Sequence, residues 1–193
     1  KLMSVCPLPD LELEQLLKRL RQAILSNVLD EKDASPELCQ FQSALALHCF
    51  TNEYVYFYSK EEEKALLTLE NVVKRAFKND EQPSPQTVLA LASYKALNEY
   101  DWCNSLAVID EIQEVFTRQV EEPNQENNLK PQIPILGEIT DSVSSEVRAQ
   151  YEESPYPRWI NSGFYLQPMS VSRLINQVEL KLYDNKIEQL EKP

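Results

Sequence analysis

Two glycines in 193 residues, Gly137 and Gly163, constrain this chain more than any other feature of its sequence. Glycine lets backbone enter left-handed turns and lets it approach a ligand closely. Phosphate-cradling loops and dinucleotide-binding turns need several glycines for that reason. No segment here has them, so a nucleotide site of that kind is excluded. The twelve prolines have the opposite role. Several follow a serine, an arrangement that starts helices and breaks the chain into short segments.

Apolar spacing then places the helices. Leu13, Leu16, Leu17, Leu20, Ile24 and Val28 recur at three- and four-residue steps, which predicts a helix from about Asp10 to Leu29. Lys18, Arg19 and Arg21 fall mostly off that stripe. Ser35-Pro36-Glu37 opens a second helix, apolar nearly all round from Ala44 to Phe50 and therefore central. The aromatic run Tyr54-Val55-Tyr56-Phe57-Tyr58 reads as its buried end. Ser59-Lys60-Glu61-Glu62 is a capping box opening a third helix, continued by Leu66, Leu69, Val73 and Ala76. Ser84-Pro85 opens a fourth, running towards Leu97. Ile112, Phe116 and Val120 carry a fifth, which Pro123 should stop. Residues 123–134 are polar and proline-punctuated and read as a linker within 123–140. A further helix is expected at about 141–152, then an irregular stretch over 154–169. Ser170 caps a short helix through Ile175, and residues 178–182 fit strand or helix equally.

These segments predict an all-α fold, an irregular antiparallel helical bundle over residues 1–122, with a helix and an irregular C-terminal segment over 141–193. Helix spacing is compatible with repeated helical hairpins, but the consensus positions of a 34-residue repeat do not recur.

The charge balance, 19 basic against 31 acidic residues for a net −12, repels nucleic-acid phosphates and anionic membranes. No apolar run is long enough to span a bilayer, and the N-terminal residues do not resemble a signal peptide. Four cysteines, Cys6, Cys39, Cys49 and Cys103, form no Cys-x-x-Cys pair and read as free thiols in a reducing cytoplasm. His48, the sole histidine, neighbours Cys49 in the apolar helix. Adjacent helical residues point about 100° apart, so they make no nucleophile–base pair. His48 reads as structural, and no metal-ligand spacing exists. The acidic pairs Glu61-Glu62 and Glu121-Glu122 are explained by a helix N-terminus and a solvated helix end. The aromatic group Phe50, Tyr54, Tyr56, Phe57 and Tyr58 reads as core rather than as a ligand pocket.

One stretch has no such explanation. Tyr151-Glu152-Glu153-Ser154-Pro155-Tyr156-Pro157-Arg158-Trp159 places large rings where no helical stripe requires them. Pro155 and Pro157 stiffen it, and Arg158 has both rings and carboxylates within reach along the chain. Either a strap pinning a loop or a contact surface would account for it.

This nonapeptide resembles the Tyr-Glu-Glu-Asn-Pro-Tyr-Pro-Arg-Trp signature of bacterial tetratricopeptide–methyltransferase fusion proteins. Upstream, Ala44-Leu45-Ala46-Leu47-His48-Cys49-Phe50-Thr51-Asn52-Glu53-Tyr54-Val55 is similar to a second segment of that family, in matching order and distance. Ser154 stands where the family usually has Asn. The resemblance covers about residues 5–160 and implies the region between a repeat array and a class I methyltransferase domain. The cofactor it implies, S-adenosylmethionine, would belong to that downstream domain. The chain itself would then hold no catalytic, cofactor or metal residues. Tyr151, Glu152, Glu153, Pro155, Tyr156, Pro157, Arg158 and Trp159 would be contacts to substrate or catalytic domain. The alternative expectation is a module that dimerises or docks a protein partner.

Overall fold

The computed structural model describes residues 3, 10–29, 35–134, 141–153, 170 and 173. These residues form helices and turns and contain no strand, so the all-α expectation holds. The chain divides into two compact units, residues 1–158 and 159–193. In the second, the Arg173 amide donates to Ser170 Oγ at 3.3 Å, the bond of a serine cap.

The first unit contains α1 (Leu11–Asn27), α2 (Pro36–Thr51), α3 (Lys60–Lys78), α4 (Pro85–Ala92), α5 (Asp110–Phe116), α6 (Glu122–Leu129) and α7 (Ser142–Glu153). Each serine start expected from the sequence is a working N-cap. Ser35 Oγ accepts from Leu38 N–H, Ser84 Oγ from Thr87 N–H, and Pro36 and Pro85 fill the first helical positions. At α3 the capping box is complete. Ser59 Oγ accepts from Glu62 N–H at 3.2 Å, and Ser59 N–H donates back to Glu62 Oε2 at 2.8 Å. Each such cap stabilises its helix by about 1 kcal/mol.

The helix C-termini show how a chain so poor in glycine ends its helices. After α3, Asp80 is left-handed (φ 57), Asp80 N–H donates to Phe77 O and Glu81 N–H to Ala76 O. That is a Schellman closure with aspartate where glycine is usual. After α2, Glu53 (φ 54) does the same with Tyr54 N–H bonded to Cys49 O at 2.8 Å, and Tyr54 is left-handed too (φ 53). This closure corrects the expectation that α2 runs through Tyr58. The helix ends at Thr51, and residues 55–59 are a non-helical connector. Nor are all its rings core. Tyr56 is buried, but Phe57 is 84% exposed and Val55 69%.

Helix α4 is the centre of the unit. Every residue from Gln86 to Ala92 is buried, and α1, α2, α3 and α5 all pack on it. The main core joins Leu25, Leu47, Leu69, Val73, Leu89, Leu91, Leu97 and Val115. A second cluster holds Leu17, Leu45, Cys49 and Tyr56. Helix α4 stops at Ala92, short of the expected Leu97, and a separate 3₁₀ turn covers Leu97–Glu99.

Pro123 does not stop the fifth helix. Past Phe116 the chain widens into a π turn, Thr117–Glu121, and continues without a break as α6, with Pro123 at its second residue. The π turn contains Gln119, which is fully buried. Its Oε1 accepts from Leu97 N–H at 3.1 Å, and its Nε2 donates to Ala92 O at 3.1 Å and Ala46 O at 3.3 Å. One amide therefore joins the ends of α4 and the following turn to α2. Residues 124–134 are exposed, although helical as far as Leu129, so this part of the expected linker is a helix.

Because Asp80 occupies a left-handed position, Asp80→Gly should raise unfolding stability by about 0.5 kcal/mol, and Asp80→Val should lower it by about 1–2 kcal/mol. Urea unfolding followed by circular dichroism measures both. Equal midpoints for the two variants would show that the turn relaxes out of the left-handed region.

Candidate functional site

Two places compete as a site: the segment singled out in the sequence, and a buried polar network inside the bundle. Of the first, Tyr151, Glu152 and Glu153 form the last turn of α7. Tyr151 is 61% exposed, on the same stripe as exposed Val143 and Val147. Asp141 caps this helix, its carboxylate accepting from Ser144 N–H at 2.7 Å; the Ser144 hydroxyl first, and then this N–H, hold its pKa below the ordinary value. Residues 141–151 are exposed throughout. Pro155, Tyr156, Pro157, Arg158 and Trp159 lie outside the described residues.

The second place was not visible in the sequence. Arg21, expected off the apolar stripe of α1, is 1% exposed. Its guanidinium lies over the Tyr94 ring, 4.0 Å from the centroid, and 5.6 Å from that of Tyr56. Nη2 donates to Tyr56 O at 3.1 Å and Nη1 to Ser93 O at 3.4 Å, near the limit of a hydrogen bond. No carboxylate pairs with it among the described residues. The Tyr94 hydroxyl donates to Glu62 Oε1 at 2.7 Å. The glutamate of the α3 capping box thus also anchors the ring on which Arg21 rests.

His48 belongs to the same network. Its Nδ1 lies 3.2 Å from Met3 O, and a carbonyl only accepts, so Nδ1 carries the proton. Nε2 is then the acceptor, for the Tyr56 hydroxyl at 2.9 Å and Asn52 Nδ2 at 3.0 Å. Burial lowers the His48 pKa, so the ring is neutral, as a structural histidine should be. Burial likewise raises Tyr56 to about 12 and pushes Tyr94 upward, so both hydroxyls keep their protons.

This network is poorly suited to catalysis. Cys49, the neighbouring thiol, is fully buried, and desolvation raises it to about 11 against the partial relief that Arg21 provides. A nucleophilic thiol needs the reverse shift. Cys39 and Cys103 are also free, buried and raised by desolvation. Among the described residues no group of three or more His, Cys, Asp or Glu side chains is placed to hold a metal ion. No described helix is long and apolar enough to cross a membrane.

Comparison with known proteins leaves this geometry to speak for itself: no family model, no curated protein and no solved structure matches the chain.

The buried neutral His48 has a consequence for stability. Its folded pKa lies below the ordinary value of 6.5, so the unfolded chain takes up the proton first as pH falls. The contribution is fully present above about pH 6.5 and is lost progressively below it. Urea midpoints at pH 7.5 and pH 5 should therefore differ more for the native chain than for His48→Gln. Equal losses would mean that protonation of His48 is not coupled to folding.

Proposed function

We propose that this chain is the non-catalytic helical region of an S-adenosylmethionine-dependent methyltransferase fusion protein, and that it positions substrate on, or packs against, a catalytic domain joined beyond residue 159. The observation that carries this reading is the placement of the nonapeptide at the end of α7. The helix presents Val143, Val147 and Tyr151 as an exposed apolar stripe, and its last turn is the first third of the nonapeptide. An exposed aliphatic and aromatic stripe leading into a proline-stiffened aromatic segment suits a contact with a following domain. The interior supports the same division of labour. Its histidine is neutral and hydrogen-bonded at both nitrogens, and its described thiols are held protonated.

Two measurements test it. Isothermal titration of the 193-residue chain with S-adenosylmethionine should give no heat of binding, and micromolar affinity would place a cofactor site in the chain and overturn the reading. In the protein joined to its methyltransferase domain, Tyr151→Ala should lower methyl transfer about tenfold, since a buried interface aromatic typically contributes 1–3 kcal/mol. Unchanged turnover with unchanged folding would reduce α7 to a spacer.

A second reading, an interaction or self-association module, is favoured by one observation. Val55 and Phe57 are exposed side by side on a connector that Tyr56 anchors. If that patch docks protein, sedimentation velocity should show association that Phe57→Ser abolishes. A monomer at all concentrations, with no partner retained, counts against it.

A further inference from the structure

A groove of about 420 Å³ runs beside the C-terminal half of α3, and its charge is opposite to that of the chain as a whole. Lys74, Arg75 and Lys78 border it, while Phe77 and the edge of Trp102 supply apolar surface. Lys74 is paired with Glu70, whereas Arg75 and Lys78 have no carboxylate within ion-pair distance among the described residues. Cations in a last helical turn do complement the helix dipole. Lys74 lies one residue before that turn and is held by Glu70, and the dipole does not account for the cavity, which flanks the side of the helix. On a chain of net charge −12, these two last-turn cations stand without a paired carboxylate among the described residues and beside an apolar surface.

We propose that this groove binds a short extended peptide in which acidic residues flank an apolar one. The length fits: Asn71 to Lys78 covers about 10 Å of helix, which is roughly three residues of extended chain. The apolar side chain lies against Phe77 and Trp102, and the flanking carboxylates meet Arg75 and Lys78. The polar groups choose between a peptide and a compact anion. Asp101 also borders the groove and can accept a peptide N–H, a donor that a compact anion does not offer. Asn71 both donates and accepts, which suits a peptide bond. The aromatic surface is a rim rather than a stacking platform. One face of Trp102 is already stacked by Tyr100 at 4.7 Å, and Trp102 is only 6% exposed. A flat nucleobase therefore gains little there. The inference does not depend on the methyltransferase reading, because every residue in it belongs to the bundle.

The test is fluorescence anisotropy of the fluorescein-labelled peptide Glu-Asp-Leu-Glu-Asp with the complete chain. Saturable binding is expected, weakened about tenfold by the combined Arg75→Glu and Lys78→Glu changes, since each exposed charge contact is modest. Both side chains are exposed, so the circular dichroism of the variant should match the native chain, and Lys78→Gln alone gives a milder check. Absence of saturation up to about 1 mM, about −4 kcal/mol of binding free energy, overturns the proposal. So does equal binding by the double variant. Displacement of the probe by inorganic pyrophosphate as readily as by unlabelled peptide would show a plain anion site, and overturns it too.

Discussion

The buried guanidinium of Arg21 is the contact on which the rest of the structure depends. It belongs to α1, but its partners are the carbonyls of Tyr56 and Ser93 and the ring of Tyr94, from the α2–α3 connector and the end of α4. Three segments therefore meet on one side chain. The contacts continue outward from it, through the Tyr94 hydroxyl to Glu62 at the start of α3, and through Tyr56 to His48 in α2. Hydrogen bonds to a charged group contribute about 1.5–3 kcal/mol each, and a desolvated cation–π contact about 2 kcal/mol. Against them stands a desolvation penalty of several kcal/mol, and Nε has no hydrogen-bond partner among the described residues. These contributions come close to cancelling. The main effect of Arg21 is therefore to select one arrangement of the segments around it rather than to add net stability.

That selection has a visible outcome in the connector. Tyr56 is turned inward to meet His48, and its neighbours Val55 and Phe57 are consequently turned outward. Two successive left-handed residues, Glu53 and Tyr54, make the reversal possible. The exposed apolar surface is thus held in place by a rigid interior. The same division recurs elsewhere: inert thiols and a neutral histidine inside, and the α7 stripe and the α3 groove outside. Both functional readings proposed above rest on these exposed surfaces.

Much of the fold was legible because its signals are local. Ser35-Pro36, the Ser59–Glu62 box and Ser84-Pro85 each act within one turn, and each helix starts where they stand. Misreadings arose where the cause lies far along the chain. The helix was expected to run through Tyr54–Tyr58 because apolar rings continue past Thr51. It is instead closed by a Schellman turn built without glycine, a signal hidden by the unusual residue. Pro123 signals a stop in the sequence, yet the backbone is helical on both sides of it, with a widened π turn immediately before. Arg21 falls off the apolar stripe in the sequence, and the partners that bury it lie 35 and 72 residues away. Of the candidate site, α7 was legible as a helix at about 141–152, but the exposure of Tyr151 was not, because an apolar stripe ordinarily marks a buried face. The α3 groove was not, since Asp101 and Trp102 approach Lys74 and Lys78 only through tertiary packing.

The most direct test of the role assigned to Arg21 is hydrogen–deuterium exchange of Arg21→Met, an apolar side chain of similar length. If the guanidinium selects the arrangement rather than supplying net stability, global unfolding should change by less than about 1 kcal/mol. Exchange at the Tyr54, Val55 and Ser59 amides, each hydrogen-bonded in the folded chain, should nevertheless quicken about tenfold or more, while α4 keeps its protection. Connector amides as slow as in the native chain would contradict the account, and so would a uniform loss of protection across α2, α3 and α4.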